Sequence, residues 1–188
     1  MRKLSVLTLT MIFLLSVLGF NASVIAEPVS QQEITTRDPL GNADFSVSLK
    51  GQTVRLGQRW DDVPDTRLGT SLRDEFVGEV EFDGDSYKFY HHQYDGFEIY
   101  TSNLWWDKAE RDFDDYIVAQ ITFKSATLKT HRGAFIGMLT ADINRLYGEG
   151  KHHKDNEDEW VFYLYGKKRL SFEIVNDKVS AITLSFNN

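Results

Sequence analysis

The chain has 188 residues and no cysteine; 41% of it is apolar, 13% aromatic, and its formal net charge is −7. That acidity, with no basic stripe to offset it, excludes nucleic acid and anionic lipid as natural partners. The missing thiols exclude disulfide bracing, a cysteine nucleophile and a lipoprotein anchor, so core packing by large aromatic side chains must supply the stability.

In chain order, Arg2 and Lys3 precede an apolar stretch over residues 4–20, and Val24, Ile25 and Ala26 place small or modest side chains before Glu27. This layout predicts a secretory signal peptide over 1–26, too interrupted for a transmembrane anchor, and no stable membrane span after its removal. The expected location is secreted, periplasmic or cell-envelope. Cleavage leaves about 162 residues and a net charge of about −9, because two basic side chains depart with the leader. Residues 27–44 are polar and without period, carry Pro28, Pro39 and Gly41, and read as a flexible leader.

A first module is expected over 45–127. It opens with a strand at 45–49, followed by a short helix that Asp61 can cap and Gly69 can close, with Val63 and Leu68 on its apolar side. A strand over 87–94 then turns through Asp95-Gly96 into another at 97–100, a strong hairpin signal. A further strand over 118–123 closes the module, and both modules can share it. The second module, 128–188, repeats the order. Thr140 to Gly148 reads as its helix, with Ile143, Leu146 and Tyr147 apolar. Strands are expected over 160–165, 170–175 and 179–184, the first two joined by a turn at Gly166-Lys167-Lys168. The helix glycines Gly57 and Gly137 lie about 80 residues apart, and Phe97-Glu98-Ile99 matches Phe172-Glu173-Ile174 about 75 residues on. Such self-similarity predicts a duplicated unit. The expected fold class is therefore α+β: two tandem modules, each a short helix or helical pair on one face of a three- to four-stranded antiparallel sheet.

The paired Gly-x-x-x-x-Asp-(Val/Ile) and Leu-(Tyr)-Gly stretches, each followed by antiparallel strands, resemble the β-lactamase inhibitor protein fold. A single module is also similar to small bacterial outer-membrane assembly lipoproteins. Thr130-His131-Arg132-Gly133…Gly137 resembles a Thr-x-Arg-Gly…Gly stretch found in exported proteins of unknown role. The resemblance covers most of residues 45–186 and implies a scaffold that binds other proteins. The inhibitor's disulfide cysteines are absent here and no inhibitory motif is recognisable, so no functional residue carries over.

The five histidines occur as His91-His92, His131 and His152-His153. Strand neighbours point to opposite faces, so His91 and His92 cannot share an ion. His152-His153 read as part of a polar, solvated loop over 151–159, and the acidic run 107–115 lacks the spacing of a calcium loop. No metal or other cofactor is expected. The chain has no Gly-x-Ser-x-Gly elbow, phosphate-binding glycine loop or zincin helix, so no enzyme is expected. Period-two alternation instead suggests a tyrosine-rich sheet face opposite a Phe/Ile/Leu face. Tyr90, Tyr94, Tyr100, Tyr163 and Tyr165, with His92, Glu98 and Glu173, are assigned to it, and Trp105 and Trp106 supply bulky anchors. Tyrosine and tryptophan suit recognition surfaces. The expected function is a non-enzymatic exported module that binds another exported or envelope protein through these residues. The alternative is an envelope protein that binds polysaccharide or a small ligand, with Trp105 and Trp106 stacking on sugar rings.

Overall fold

A computed structural model describes residues 38–63, 65–82, 84–104, 115–155 and 158–187. The signal peptide, Trp105, Trp106 and most of the acidic run lie outside the described residues.

The described chain is built mainly from ten strands: β1 (Ser46–Leu49), β2 (Gln52–Arg55), β3 (Arg73–Phe82), β4 (Asp85–Tyr94), β5 (Phe97–Ser102), β6 (Ile117–Phe123), β7 (Lys151–Asp155), β8 (Asp158–Tyr165), β9 (Lys168–Val175) and β10 (Lys178–Phe186). Helix is confined to a single turn, α1 (Asp65–Leu68), and a two-turn segment, α2 (Thr140–Tyr147), besides short 3-10 turns at Asn42–Phe45 and Trp60–Asp62. β1 and β2 form a separate hairpin; the other eight strands make one antiparallel sheet in the order β3-β4-β5-β6-β10-β9-β8-β7. This corrects the expected pair of α+β modules, each with its own sheet. A helical segment followed by four strands does occur twice in chain order. The two runs are fused where Phe123, Thr122 and Ile121 of β6 pair with Ile182, Thr183 and Leu184 of β10. The strand expected to be shared is therefore the sheet's joint.

One face of the sheet is apolar from side to side. Following the register, Tyr94 pairs with Phe97, Phe97 with Phe123, Phe123 with Ile182, Ile182 with Phe172, and Phe172 with Val161. Each of these six is at most 4% exposed, so one row of pleat crosses six strands without reaching solvent. Phe45, Leu49, Val54 and Leu56 of the β1–β2 hairpin and its flanks, with Leu68 of α1 and Ile143 and Tyr147 of α2, complete this core. A sheet buried on one face in this way alternates apolar-in and polar-out along its strands.

Gly150 lets α2 pass into β7 directly over the sheet. A Cβ there would sit 2.5 Å from Val161 Cγ1 and 2.9 Å from Tyr163 Cζ. Gly150→Ala is expected to destabilise the protein by about 1–2 kcal/mol through overpacking. A lower denaturant midpoint with an unchanged slope would show it; an unaltered midpoint would mean the turn yields freely.

The Thr-x-Arg-Gly stretch has a structural role. Asp44, 3% exposed, accepts from Arg132 Nε at 2.7 Å and Nη2 at 3.0 Å. The guanidinium also donates to the carbonyls of Asp38, Pro39 and Leu146. The ring of Tyr147 lies 5.2 Å from it, and the Tyr147 hydroxyl lies 2.7 Å from Thr130 Oγ1, which accepts from the Ala134 amide. One arginine therefore ties the segment entering the fold to the C-terminal end of α2. Burial alone would raise the Asp44 pKa. It is outweighed by the Arg132 hydrogen bond, the Gly41 amide and the charges of Arg132 and His131, and the net shift is downward.

Candidate functional site

The register of the hairpins decides which side chains face outward, and it divides the expected tyrosine face. The Asp95-Gly96 turn has two residues, so Tyr94 and Phe97 are direct partners on the same, buried face, with rings 4.8 Å apart. The Gly166-Lys167 turn likewise has two residues rather than the three expected, and pairs Tyr165 with Lys168. Phe162 and Leu164 therefore turn outward, while Val161 and Tyr163 turn to the core.

Of the seven proposed contact residues, Tyr94 and Tyr163 are core side chains, and the Tyr163 hydroxyl donates to the Gly148 carbonyl at 2.8 Å. Tyr90 lies on the same side, edge-on to Phe76 and Tyr116 at 5.5 Å each. Tyr165 is at the rim, its ring 6.1 Å from that of Phe45. Only Tyr100 is described on the opposite face, which it shares with Glu98 and Glu173, as expected for those two; His92 is on the core side. Trp105 and Trp106 fall outside the described residues.

The opposite face has a different chemistry. Across its middle the register aligns Glu98, Thr122, Thr183, Ser171 and Phe162, and in the next row Tyr100, Gln120, Ser185, Arg169 and Leu164. Short hydroxyls on the central strands beside long side chains on β8 and β9 leave a depression of about 540 Å³. Gln120, Ser171, Thr183 and Ser185 line it, with Arg169, Trp160, His153, Phe186 and Asn187. Its floor is tied by hydrogen bonds: Gln120 Nε2 donates to Thr122 Oγ1 at 3.1 Å, and the Thr122 and Thr183 hydroxyls are hydrogen-bonded to each other at 3.4 Å. Towards β3–β5 the face closes up, and Tyr87, Ser102 and Ile117 are buried on this side.

Charge divides the same face. Near β3–β5, Glu75 is 2.6 Å from Arg73 and 3.2 Å from His91 Nδ1, and Glu98 is 3.7 Å from both His91 and Lys124. Tyr100 stacks on His91 at 4.5 Å; burial, then the Glu98 and Glu75 charges, raise its pKa and keep it a neutral donor. Near β7–β9 the face carries Lys151, His153 and Arg169 as well as Glu173. Among the described residues no carboxylate pairs with Lys151, His153 or Arg169, and Glu173 instead accepts from Ser180 Oγ at 2.7 Å.

Protein-family models, curated proteins and solved structures all give no match. The site must be read from its own geometry.

His91 and His92 do occupy opposite faces, as strand neighbours must. His152 and His153, expected in a loop, lie in β7, whose hairpin with β8 fills that segment. Among the described residues no group of three or more His, Asp or Glu side chains is placed to hold a metal ion. Asp74, His92 and Thr101 form an acid–imidazole–hydroxyl chain: His92 Nδ1 is 2.7 Å from Asp74 and Nε2 is 3.1 Å from Thr101 Oγ1. Thr101 is 1% exposed and Trp60 covers the imidazole at 4.5 Å, so no substrate carbonyl can reach that hydroxyl. The chain fixes the Trp60 ring against the sheet.

Sequence reasoning missed Gln120, Trp160, Phe162, Arg169, Ser171, Thr183 and Ser185. The signal was available. Gln120 and Thr122 alternate with Ile121 and Phe123, Thr183 and Ser185 with Ile182 and Leu184, and Ser171 and Glu173 with Phe172 and Ile174.

Proposed function

We propose that the chain is a non-enzymatic, exported binding module and that the open face over β6, β10, β9 and β8 is its contact surface for another exported or envelope protein. The observation that carries this reading is the hydroxyl-floored depression, walled by Trp160 and by Arg169 stacked on Phe162, on a sheet whose other face holds the core across its central strands. A rigid sheet with preset side chains loses little entropy on docking, and Trp and Arg are the residue types that anchor interfaces. The resemblance to inhibitor-like modules agrees in kind and supplies no residue.

The test compares three forms of the chain from Glu27 onward: unaltered, Thr183→Lys on the floor, and Leu139→Lys on the helix side. Each is immobilised against the exported fraction of the producing organism. A protein held by the first and third, and bound at least tenfold more weakly by the second, is the expected result, about 1.4 kcal/mol. A partner indifferent to Thr183→Lys, or saturable binding to purified glycans with no protein retained, would remove the reading. Changing Tyr94 or Tyr163 would test folding rather than recognition, because both are core residues.

A further inference from the structure

We propose that Arg169 is a preformed receptor for a carboxylate, and that the open face engages an Asp- or Glu-bearing peptide segment of its partner. This rests on the open-face reading and specifies what that face recognises.

Arg169 Nε donates to Ser171 Oγ at 2.9 Å, and its guanidinium carbon lies 4.1 Å from the centre of the Phe162 ring. Those two contacts fix the plane of the group and one of its five donors. Among the described residues no acid accepts from the remaining N–H groups. Arg73, Arg132 and Arg59 are taken up by Glu75, Asp44 and Asp115, whereas Arg169 pairs with no acid among the described residues yet is held in place by a ring and a hydroxyl. A stacked, half-buried guanidinium with free N–H groups forms bidentate hydrogen bonds to a carboxylate, in a geometry that an ammonium cannot reproduce. The surroundings point the same way. Lys151 and His153 lie on the same side of the sheet, and Glu173, two residues beyond Ser171 on β9, is already held by Ser180. Short hydroxyls beside the guanidinium offer donors and acceptors to a peptide backbone, and Trp160 offers an apolar wall.

The experiment is a selection of phage-displayed 12-residue peptides on the chain from Glu27 onward, followed by affinity measurement with the synthetic peptides. Enrichment of Asp or Glu in the selected peptides is expected, with affinity falling as salt rises. Affinity should drop at least tenfold with Arg169→Met, by a similar factor with Arg169→Lys, and again when the peptide's acid is replaced by its amide. Ser171→Ala should weaken binding by a smaller factor, because it frees the guanidinium without removing it. Thermal melts confirm that each variant is folded. Selected peptides that are lost on Thr183→Lys but indifferent to Arg169→Met would overturn the carboxylate assignment and leave the open face as the docking surface. Peptides indifferent to both substitutions, or no selection at all, would overturn both. Arg169-dependent binding of a hexuronate oligosaccharide with no peptide selected would overturn the peptide source.

Discussion

Arg132→Met is expected to destabilise the protein by about 3–5 kcal/mol, because it strands the Asp44 carboxylate in the interior. Asp44 is 3% exposed, and Arg132 is its counter-ion; only the Gly41 amide remains as a strong donor to the carboxylate in the variant. Three backbone carbonyls lose their donor at the same time. The pH dependence separates this cause from simple loss of packing. In the unaltered protein the Asp44 pKa is below its ordinary value, so its contribution is present above about pH 4 and is lost as acid protonates the folded form. Without Arg132, burial becomes the dominant influence on Asp44 and its pKa should rise, so the sign reverses. The variant should gain stability between pH 7 and pH 4, where the unaltered protein does not. Asp44→Asn with Arg132→Met should recover part of the loss, since a neutral amide can be buried and still accept from Gly41. Urea titrations at several pH values measure all three; a loss under 1 kcal/mol, or no recovery in the double variant, would show that the pair is solvated.

Of the core row, Phe97 and Phe172 were legible from alternation and Tyr94 and Val161 were not, while most strands were found where Val, Ile, Phe and Tyr cluster. Three strands were not. β3 carries Asp74, Glu75, Glu79 and Glu81, and its alternation is broken where the register shifts between Phe76 and Gly78, so it reads as loop. β7 is Lys-His-His-Lys-Asp, a sequence with no apolar residue. Both lie at the margins of the sheet, where charge blunts an exposed edge and little apolar surface is needed. β2 is short and sits in a hairpin whose Lys50-Gly51 turn has positive φ at both residues. The fusion of the two halves depends on pairing between residues some 60 positions apart, such as Ile121 with Leu184, and local pattern does not encode it. The continuous burial of Ile117, Val118 and Ala119 in β6 is what a central strand looks like in sequence.

The candidate site failed for a narrower reason. Period two within a strand fixes alternation but not which face each residue takes; the turn between strands sets that. A two-residue turn makes its flanking residues partners on one face, so Tyr94 must share the face of Phe97 and Tyr165 that of Lys168. With that step the outward set becomes Glu98, Tyr100, Phe162, Leu164, Arg169 and Ser171. Tyrosine's affinity for strands then accounts for Tyr94 and Tyr163 as core residues, and recognition passes to the polar row that alternates with them.

Tyr147 links this core to the arginine clasp, and it predicts how the fold fails in alkali. Burial, opposed by the Thr130 hydrogen bond and the Arg132 charge, pushes the Tyr147 pKa up to about 12. The unfolded chain ionises near pH 10, so the folded form holds the proton longer. Its contribution is whole below pH 10 and is lost between pH 10 and 12, about 2–3 kcal/mol in all. Tyr147→Phe removes that titration and, at neutral pH, sacrifices the hydrogen bond to Thr130 Oγ1, about 1 kcal/mol. The unaltered protein should therefore be the more stable form at pH 7, the two should meet near pH 11, and the phenylalanine variant should be the more stable above it. Every other tyrosine and lysine titrates in both forms and cancels in the difference. Urea midpoints from pH 8 to 12 decide the matter, and curves that stay parallel throughout would mean that water reaches the Tyr147 hydroxyl in the folded state.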